Sequence, residues 1–174
     1  VMTLFGSINP AVSTALSREG GAFWISKAFP VPFPLQVQSK LLFGYSIAAA
    51  TSFTTGVGAM IGLGVGFVTT FFAFLFALVV LAGMTAVSLE IDLIRPKFGW
   101  NTETEAIKQN MNSMLSLLFT FVLIALFGFF AYLMFGLFTQ TVFVLLLVVA
   151  LAAVFSVAGY AVLMRTASRA KYEI

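Results

Sequence analysis

The sequence contains no cysteine and no histidine. Disulfide bridges, thiolate or imidazole metal sites, and nucleophilic catalysis by cysteine or by a serine–histidine pair are therefore excluded. A glycine-rich phosphate loop of the Walker type is also missing, so the chain has no ATPase motif of its own. The few carboxylates stand beside basic residues and helix ends, where helix caps and ion pairs account for them. We expect neither an enzyme nor a metal or cofactor site.

Charge is the second scarcity. Only 9% of the 174 residues are charged, against roughly 25% in soluble proteins, and 61% are hydrophobic. Two long runs, 41–89 and 109–164, contain no charged residue at all. A helix needs about 20 residues to cross a bilayer, so each run is long enough to cross twice. The sequence therefore predicts an all-α integral membrane protein with four transmembrane helices in two hairpins.

The charged segments between and around these runs define the predicted organisation. Residues 1–40 form a cytoplasmic lead-in with a short amphipathic helix, and the part at 1–16 is interpreted as the tail of a span that begins upstream. The remaining parts are hairpin one at 41–89, a cytoplasmic loop at 90–113, hairpin two at 114–164 and a cytoplasmic tail at 165–174. Glycines between 56 and 66, and residues 138–141, are the predicted hairpin turns.

Small and hydroxylated residues in the first hairpin allow two interpretations. Gly58, Gly62 and Gly66 form overlapping small-xxx-small patterns, which permit close helix approach. Ordinary packing or a glycine-rich hairpin turn is favoured over a gating hinge. The serines and threonines of residues 46–55 could line a path, although hydroxyls that bond back to their own helix are expected.

All nine basic residues fall on one predicted face of the membrane. They are Arg18, Lys27, Lys40, Arg95, Lys97, Lys108, Arg165, Arg169 and Lys171. By the positive-inside tendency that face, with both chain ends, is cytoplasmic, and no nucleic acid is needed to explain the basic residues. The spans carry no ionisable residue of the kind that proton-coupled transporters use, so any transport is expected to draw its energy from another subunit.

The lead-in is predicted to contain a helix that Ser17 caps and that carries Glu19 in its first turn. Prolines at 30, 32 and 34 should stop this helix near Phe29 and begin the next one near Pro34. Phe23 and Trp24 have two interpretations: an aromatic anchor at the membrane interface, which is favoured, or a docking surface for a cytosolic partner.

The cytoplasmic loop is predicted to begin with the end of span two. Asp92 and Arg95 are three residues apart and can form an ion pair, and Pro96 should end the helix. Thr102 and Glu105 have capping-box spacing, with the Glu105 carboxylate expected on the Thr102 amide. The new helix is expected to start near Glu103 and to run unbroken into span three.

Three short motifs resemble the membrane subunits of bacterial ABC exporters of the type-two permease kind. They are S-R-E-G at 17–20, K-A-F-P at 27–30 and D-L-I-R-P at 92–96. The resemblance implies a permease of the bacterial cytoplasmic membrane, working as a homodimer or heterodimer and using ATP through a separate ATP-binding subunit. It also implies that this chain is the C-terminal portion of a longer permease, and Gly21 departs from the basic residue common in that family. The residues implied in partner coupling are Ser17, Arg18, Glu19, Gly20, Phe23, Trp24, Lys27, Pro30, Asp92, Arg95 and Pro96.

The alternative from another functional class is a four-span scaffold or assembly protein that does not transport anything. It would use the polar loop to recruit a partner. This alternative predicts that Glu19, Lys27 and Arg95 can be replaced without an export phenotype, whereas the permease interpretation predicts a loss of export.

Overall fold

A computed structural model describes residues 1–28, 30–107, 109–138 and 141–170, with the side chains of residues 27, 103 and 141 outside the description. The described part is helical and contains no strand. Its helices are α1 (Met2–Ser7), α2 (Pro10–Ser13), a 3₁₀ segment (Ser17–Ala22), α3 (Phe23–Ala28), α4 (Phe33–Leu63), α5 (Phe67–Ile94), α6 (Glu103–Ile107), α7 (Met111–Leu137) and α8 (Thr141–Arg169).

Four of these helices, α4, α5, α7 and α8, are long and apolar enough to cross a membrane. The predicted all-α class with four such helices is confirmed, and the four indicate a multi-pass membrane protein. The first hairpin turn lies at the predicted glycines: Gly64 ends α4 in the left-handed conformation, with φ 64°, and Gly66 precedes α5. The second turn includes residues 139 and 140, which lie outside the described residues.

Helix α5 is the centre of the bundle and packs most extensively against α8. The two backbones come close at Gly83, where a Cβ atom would stand 2.5 Å from the Phe155 ring, and the Ser156 hydroxyl donates to the Val79 carbonyl at 2.6 Å. By contrast, a Cβ atom at Gly58, Gly62 or Gly66 would meet nothing within 4 Å. The small-xxx-small glycines therefore do not mediate close helix approach within the described bundle. The close approach of α5 and α8 occurs at Gly83 instead.

The N-terminal segment at 1–16 does not stay outside the bundle. It runs antiparallel to α4, with Val12 against Gly44 and Met2 against Gly56, and α1 also packs on α5 and α7. Gly44 and Gly56 are twelve residues apart, so at 1.5 Å per residue the segment follows α4 for about 18 Å. This part of the predicted lead-in therefore lies beside the central part of two helices of spanning length.

Four of the five hydroxyls at residues 46–55 of α4 follow their expected pattern, whereas the buried Ser52 hydroxyl has no hydrogen-bond partner in the described part of the chain. Ser46, Thr51, Thr54 and Thr55 each donate to a backbone carbonyl three or four residues earlier. Their hydrogen-bonding capacity is thereby used within the helix.

At the end of the bundle that carries the charged loop, the helices pack around a hydrophobic core. Its fully buried members include Leu16, Leu89, Leu93 and Leu163, so it joins the N-terminal segment to α5 and α8. The charged loop after α5 is therefore held close to the segment around Ser17, and this end of the bundle contains the candidate site.

Candidate functional site

Asp92, near the end of α5, is the centre of a buried hydrogen-bond network. Its side chain is fully buried. One carboxylate oxygen, Oδ2, accepts from the backbone amides of Leu16 at 2.6 Å and Ser17 at 3.0 Å. The other, Oδ1, accepts from the Ser17 hydroxyl and from the Asn112 side-chain amide, the latter at 2.8 Å. Four donors from two distant segments thus converge on one carboxylate.

The two backbone donors belong to the start of the 3₁₀ segment. The first amides of any helical segment lack a partner within the helix, and a carboxylate is a favourable acceptor there. The residue before the segment is Leu16, whose side chain cannot accept a hydrogen bond. Asp92 therefore supplies, from a distant part of the chain, the cap that the local sequence does not provide.

Ser17 carries the network into the loop that follows α5. Its hydroxyl oxygen accepts from the Lys97 amide at 2.9 Å, and its carbonyl accepts from the Trp100 indole at 2.7 Å. Ser17 was predicted to cap its own helix. Instead it is the first residue of the 3₁₀ segment and bonds to Asp92, Lys97 and Trp100, because its fully buried position directs its polar groups to other segments.

Gly20 gives Trp100 its place. Its φ is +50°, a region that residues with a Cβ atom rarely adopt. A Cβ atom here would also stand 2.7 Å from the Trp100 ring. The glycine of the S-R-E-G motif is thus required twice, for the backbone turn and for the indole that packs on it. The predicted helix from Ser17 to Phe29 is accordingly divided at this residue.

Asn112 closes the network from α7. Its side-chain amide donates to Asp92 and also to the Arg95 carbonyl at 2.8 Å. That carbonyl lies at the end of α5 and has no partner within the helix. The Asn110 side chain caps α7 by accepting from the backbone amide of Asn112 at 3.0 Å. Sequence reasoning missed both asparagines and Trp100. The signal that could have indicated the two asparagines is the presence of two amide side chains at the start of an otherwise apolar helix.

The predicted ion pair of Asp92 with Arg95 does not form. The Asp92 carboxylate is occupied by its four donors, while the Arg95 side chain is exposed. Arg95 joins the network through its backbone carbonyl. Helix α5 ends at Ile94, just before the D-L-I-R-P proline at Pro96, as predicted.

Around the network, the aromatic residues of α3 divide into two roles. Phe23 is buried, with its ring stacked on Phe98 at 4.7 Å and edge-on to Phe33 at 6.3 Å. Trp24 is 60% exposed and Ile25 is 43% exposed. Phe23 is therefore a core residue and neither an interface anchor nor a docking residue, and Trp24 remains available for either role.

The remaining predicted coupling residues lie at the edge of the Asp92 network. Glu19 forms a salt bridge with Lys40 and accepts from the Ser26 hydroxyl at 2.8 Å, which ties the 3₁₀ segment to α3 and α4. The exposed Arg18 guanidinium donates to the Ala11 carbonyl. Pro30 is exposed. The predicted role of the Lys27 side chain, and the end of the helix at Phe29, lie outside the described residues.

The loop between α5 and α7 differs from its prediction in two respects. Helix α6 starts at Glu103 as expected, and the Thr102 hydroxyl accepts from the Glu105 amide at 3.3 Å, but the Glu105 carboxylate accepts from the Asn101 amide rather than that of Thr102. The helix does not continue into α7, because Asn110 has extended backbone angles and starts a new helix.

The chemistry of the network suits a structural role, because its hydrogen bonds join the segment at 16–17, the end of α5 and the start of α7. Both oxygens of its carboxylate are engaged by protein donors, and no cluster of three metal-ligating side chains occurs in the described ranges. A small cleft of about 230 Å³ lies at its edge, between Arg18, Trp100 and Ile107. No protein-family model, curated protein or solved structure matches the chain.

Proposed function

We propose that the chain is the membrane-spanning part of an ATP-driven bacterial exporter and that a separate ATP-binding subunit energises it. The observation that supports this function best is the Asp92 network. Two of the motif stretches that resemble exporter permeases, 17–20 and 92–96, are far apart in the chain and share one buried set of hydrogen bonds. A segment that receives force and the helix that responds would need such a connection.

The packing suggests how force would pass. Trp24 and Ile25 are exposed on α3, while Phe23, on the same helix, is packed in the core beside Phe98. A partner that moved α3 would therefore move the core, and the Ser17 to Asp92 bonds would carry the displacement to the end of α5. Because α5 packs against every other spanning-length helix, its displacement would reorganise the bundle, as alternating access requires.

This proposal places the polar end of the bundle, with the charged loop and the C-terminal tail, in the cytoplasm, and the helices in the bacterial cytoplasmic membrane. The predicted cytoplasmic position of the first residues does not fit it, because Met2 packs against Gly56 in the half of α4 that is remote from the charged loop. The one-sided distribution of basic residues supports that orientation. A second permease, identical or related, would complete the transport path. The chain itself would not bind ATP.

The test is affinity purification of the full-length protein from its native membranes in mild detergent. We expect an ATP-binding subunit to co-purify and to hydrolyse ATP. A double variant, Trp24→Ala with Ile25→Ala, should reduce the amount of that subunit by about tenfold or more, since a tryptophan anchor commonly contributes ~2 kcal/mol or more to an interface. Tyr132→Ala is the matched control, because Tyr132 is 75% exposed but lies on α7 away from the network.

Recovery of no ATP-binding subunit would overturn the proposal. Recovery of a different partner that depends on Trp24 and does not bind ATP would favour the scaffold function. Equal loss of the subunit in the Tyr132→Ala control would show that α3 is not the docking element.

A further inference from the structure

An apolar cleft lies between α5, α7 and α8, and α1 covers one side of it. Its volume is about 210 Å³. The walls are mainly aliphatic and aromatic side chains: Phe76, Val80, Met84, Ile124, Phe127 and Val148. Thr3 contributes the polar group of the lining. The nearby Ser7 hydroxyl is already bonded to the Thr3 carbonyl and the Met84 sulfur.

The cleft lies well inside the spanning-length helices. Phe76 is nine residues from the start of α5 at Phe67, and Ala131, also in the lining, is six residues from the end of α7 at Leu137. At 1.5 Å per residue these positions are about 14 and 9 Å from the helix ends that are remote from the charged loop. The hydrocarbon core of a bilayer is about 30 Å thick, so the cleft opens at the depth of lipid chains.

Gly128 forms the open side. It is exposed, it lines the cleft, and a Cβ atom at this position would meet nothing within 4 Å. Without a side chain here, the groove beside Phe127 stays open toward the outside of the bundle. A slender, flexible group could enter from the surrounding bilayer.

The chemistry of the walls determines the occupant. A water molecule needs two to four polar partners, and apolar cavities of about 150 Å³ stay dry and accept hydrocarbons instead. At this depth the surrounding medium consists of lipid tails. We propose that the cleft binds one acyl chain of a bilayer phospholipid. This inference rests on the cleft alone and stands independently of the exporter function.

The test uses native mass spectrometry of the full chain after reconstitution in phosphatidylcholine and transfer to mild detergent. We expect wild-type protein to retain one phospholipid. Gly128→Phe should place a ring at the open side of the cleft and reduce the retained fraction by about tenfold, which corresponds to ~1.4 kcal/mol of binding free energy. Gly136→Phe is the control, because Gly136 lies on the same helix, is equally open and does not line the cleft.

A second measurement does not depend on any variant. Phosphatidylcholine with a photoreactive group in the middle of one chain should label peptides containing residues 76–84 and 124–131 in wild-type protein. Labelling spread evenly over all lipid-facing helices would overturn the proposal. So would equal lipid retention in the two glycine variants, or no retained lipid in wild-type protein. If Gly128→Phe does not fold, Ala131→Phe replaces it with the same expected result.

Discussion

Replacement of Asp92 by asparagine should detach the N-terminal segment from α5. The substitution keeps the size of the side chain but exchanges one acceptor oxygen for an NH₂ group. If the NH₂ takes the place of Oδ2, it faces the amides of Leu16 and Ser17, and both lose their acceptor. If it takes the place of Oδ1, it faces Asn112, which must then give up its bond to Asp92 or its bond to Arg95.

The second orientation costs less, and its cost sets the magnitude. The Ser17 hydroxyl can rotate to accept, so about one buried hydrogen bond is lost. An unsatisfied buried group costs about 1–3 kcal/mol, and we expect Asp92→Asn to lower the free energy of unfolding by that amount. Asp92→Ala removes the acceptor for all four donors and should cost more, about 3 kcal/mol or above, because each buried donor left unsatisfied costs about 1–3 kcal/mol. The expected order of stability, from lowest to highest, is therefore alanine, asparagine and wild type.

Thermal unfolding in detergent, followed by tryptophan fluorescence, measures this order. The background variant Trp24→Phe leaves Trp100 as the reporter, and Trp100 is bonded directly to Ser17. For a chain of this size each kcal/mol lowers Tm by about 2–4 °C, and loss of the bond should shift the Trp100 emission to longer wavelength. The matched control is Glu105→Gln, a carboxylate of the same loop with a partly exposed side chain, which should change Tm little. The reasoning is refuted if Asp92→Asn and Glu105→Gln have equal Tm values and equal emission spectra.

Three further predictions concern Gly20, the close contact of α5 with α8, and the ion pair of Glu19 with Lys40. Gly20→Ala should lower the free energy of unfolding by about 1–3 kcal/mol, because its φ is positive and its Cβ would meet the Trp100 ring; a thermal melt that matches wild type would contradict this. Gly83→Val should reduce stability by about 1–3 kcal/mol through overpacking between α5 and α8, while Gly58→Val, in open space, should not, and equal Tm values would show that the close approach is unimportant. Lys40→Met should cost less than about 1 kcal/mol, since its ion pair is partly exposed; a larger loss in the same melt would mean that the pair is a structural anchor.

Local sequence signals were sufficient for the architecture. The two uncharged runs predicted four helices of spanning length, and glycine and proline predicted the turn at Gly64 and the end of α5 before Pro96. These features depend on composition and on backbone conformation within a few residues, so the order of amino acids carries them directly. One local expectation was wrong: α6 does not continue into α7 as one helix, because Asn110 has extended backbone angles and starts a new helix.

The candidate site was predicted only in part. The motifs singled out Ser17, Gly20 and Asp92, and the structure brings all three into one region. The partners of Asp92 were not predictable, because local sequence offers only neighbours at helical spacing, and the nearest charged one is Arg95. Its actual donors come from 75 and 76 residues before it and from 20 residues after it.

The amino-acid sequence by itself determined the helical class, the four spanning-length segments and the position of the charged loop, because hydrophobicity and backbone stiffness act over short stretches. The tertiary structure alone decided which glycines permit close helix contact, that α5 is the central helix, and that Asp92 caps a segment far away in the chain. Those outcomes depend on which surfaces meet when the helices pack. A buried carboxylate bonds to the donors that packing brings within reach, and its sequence neighbours have no advantage.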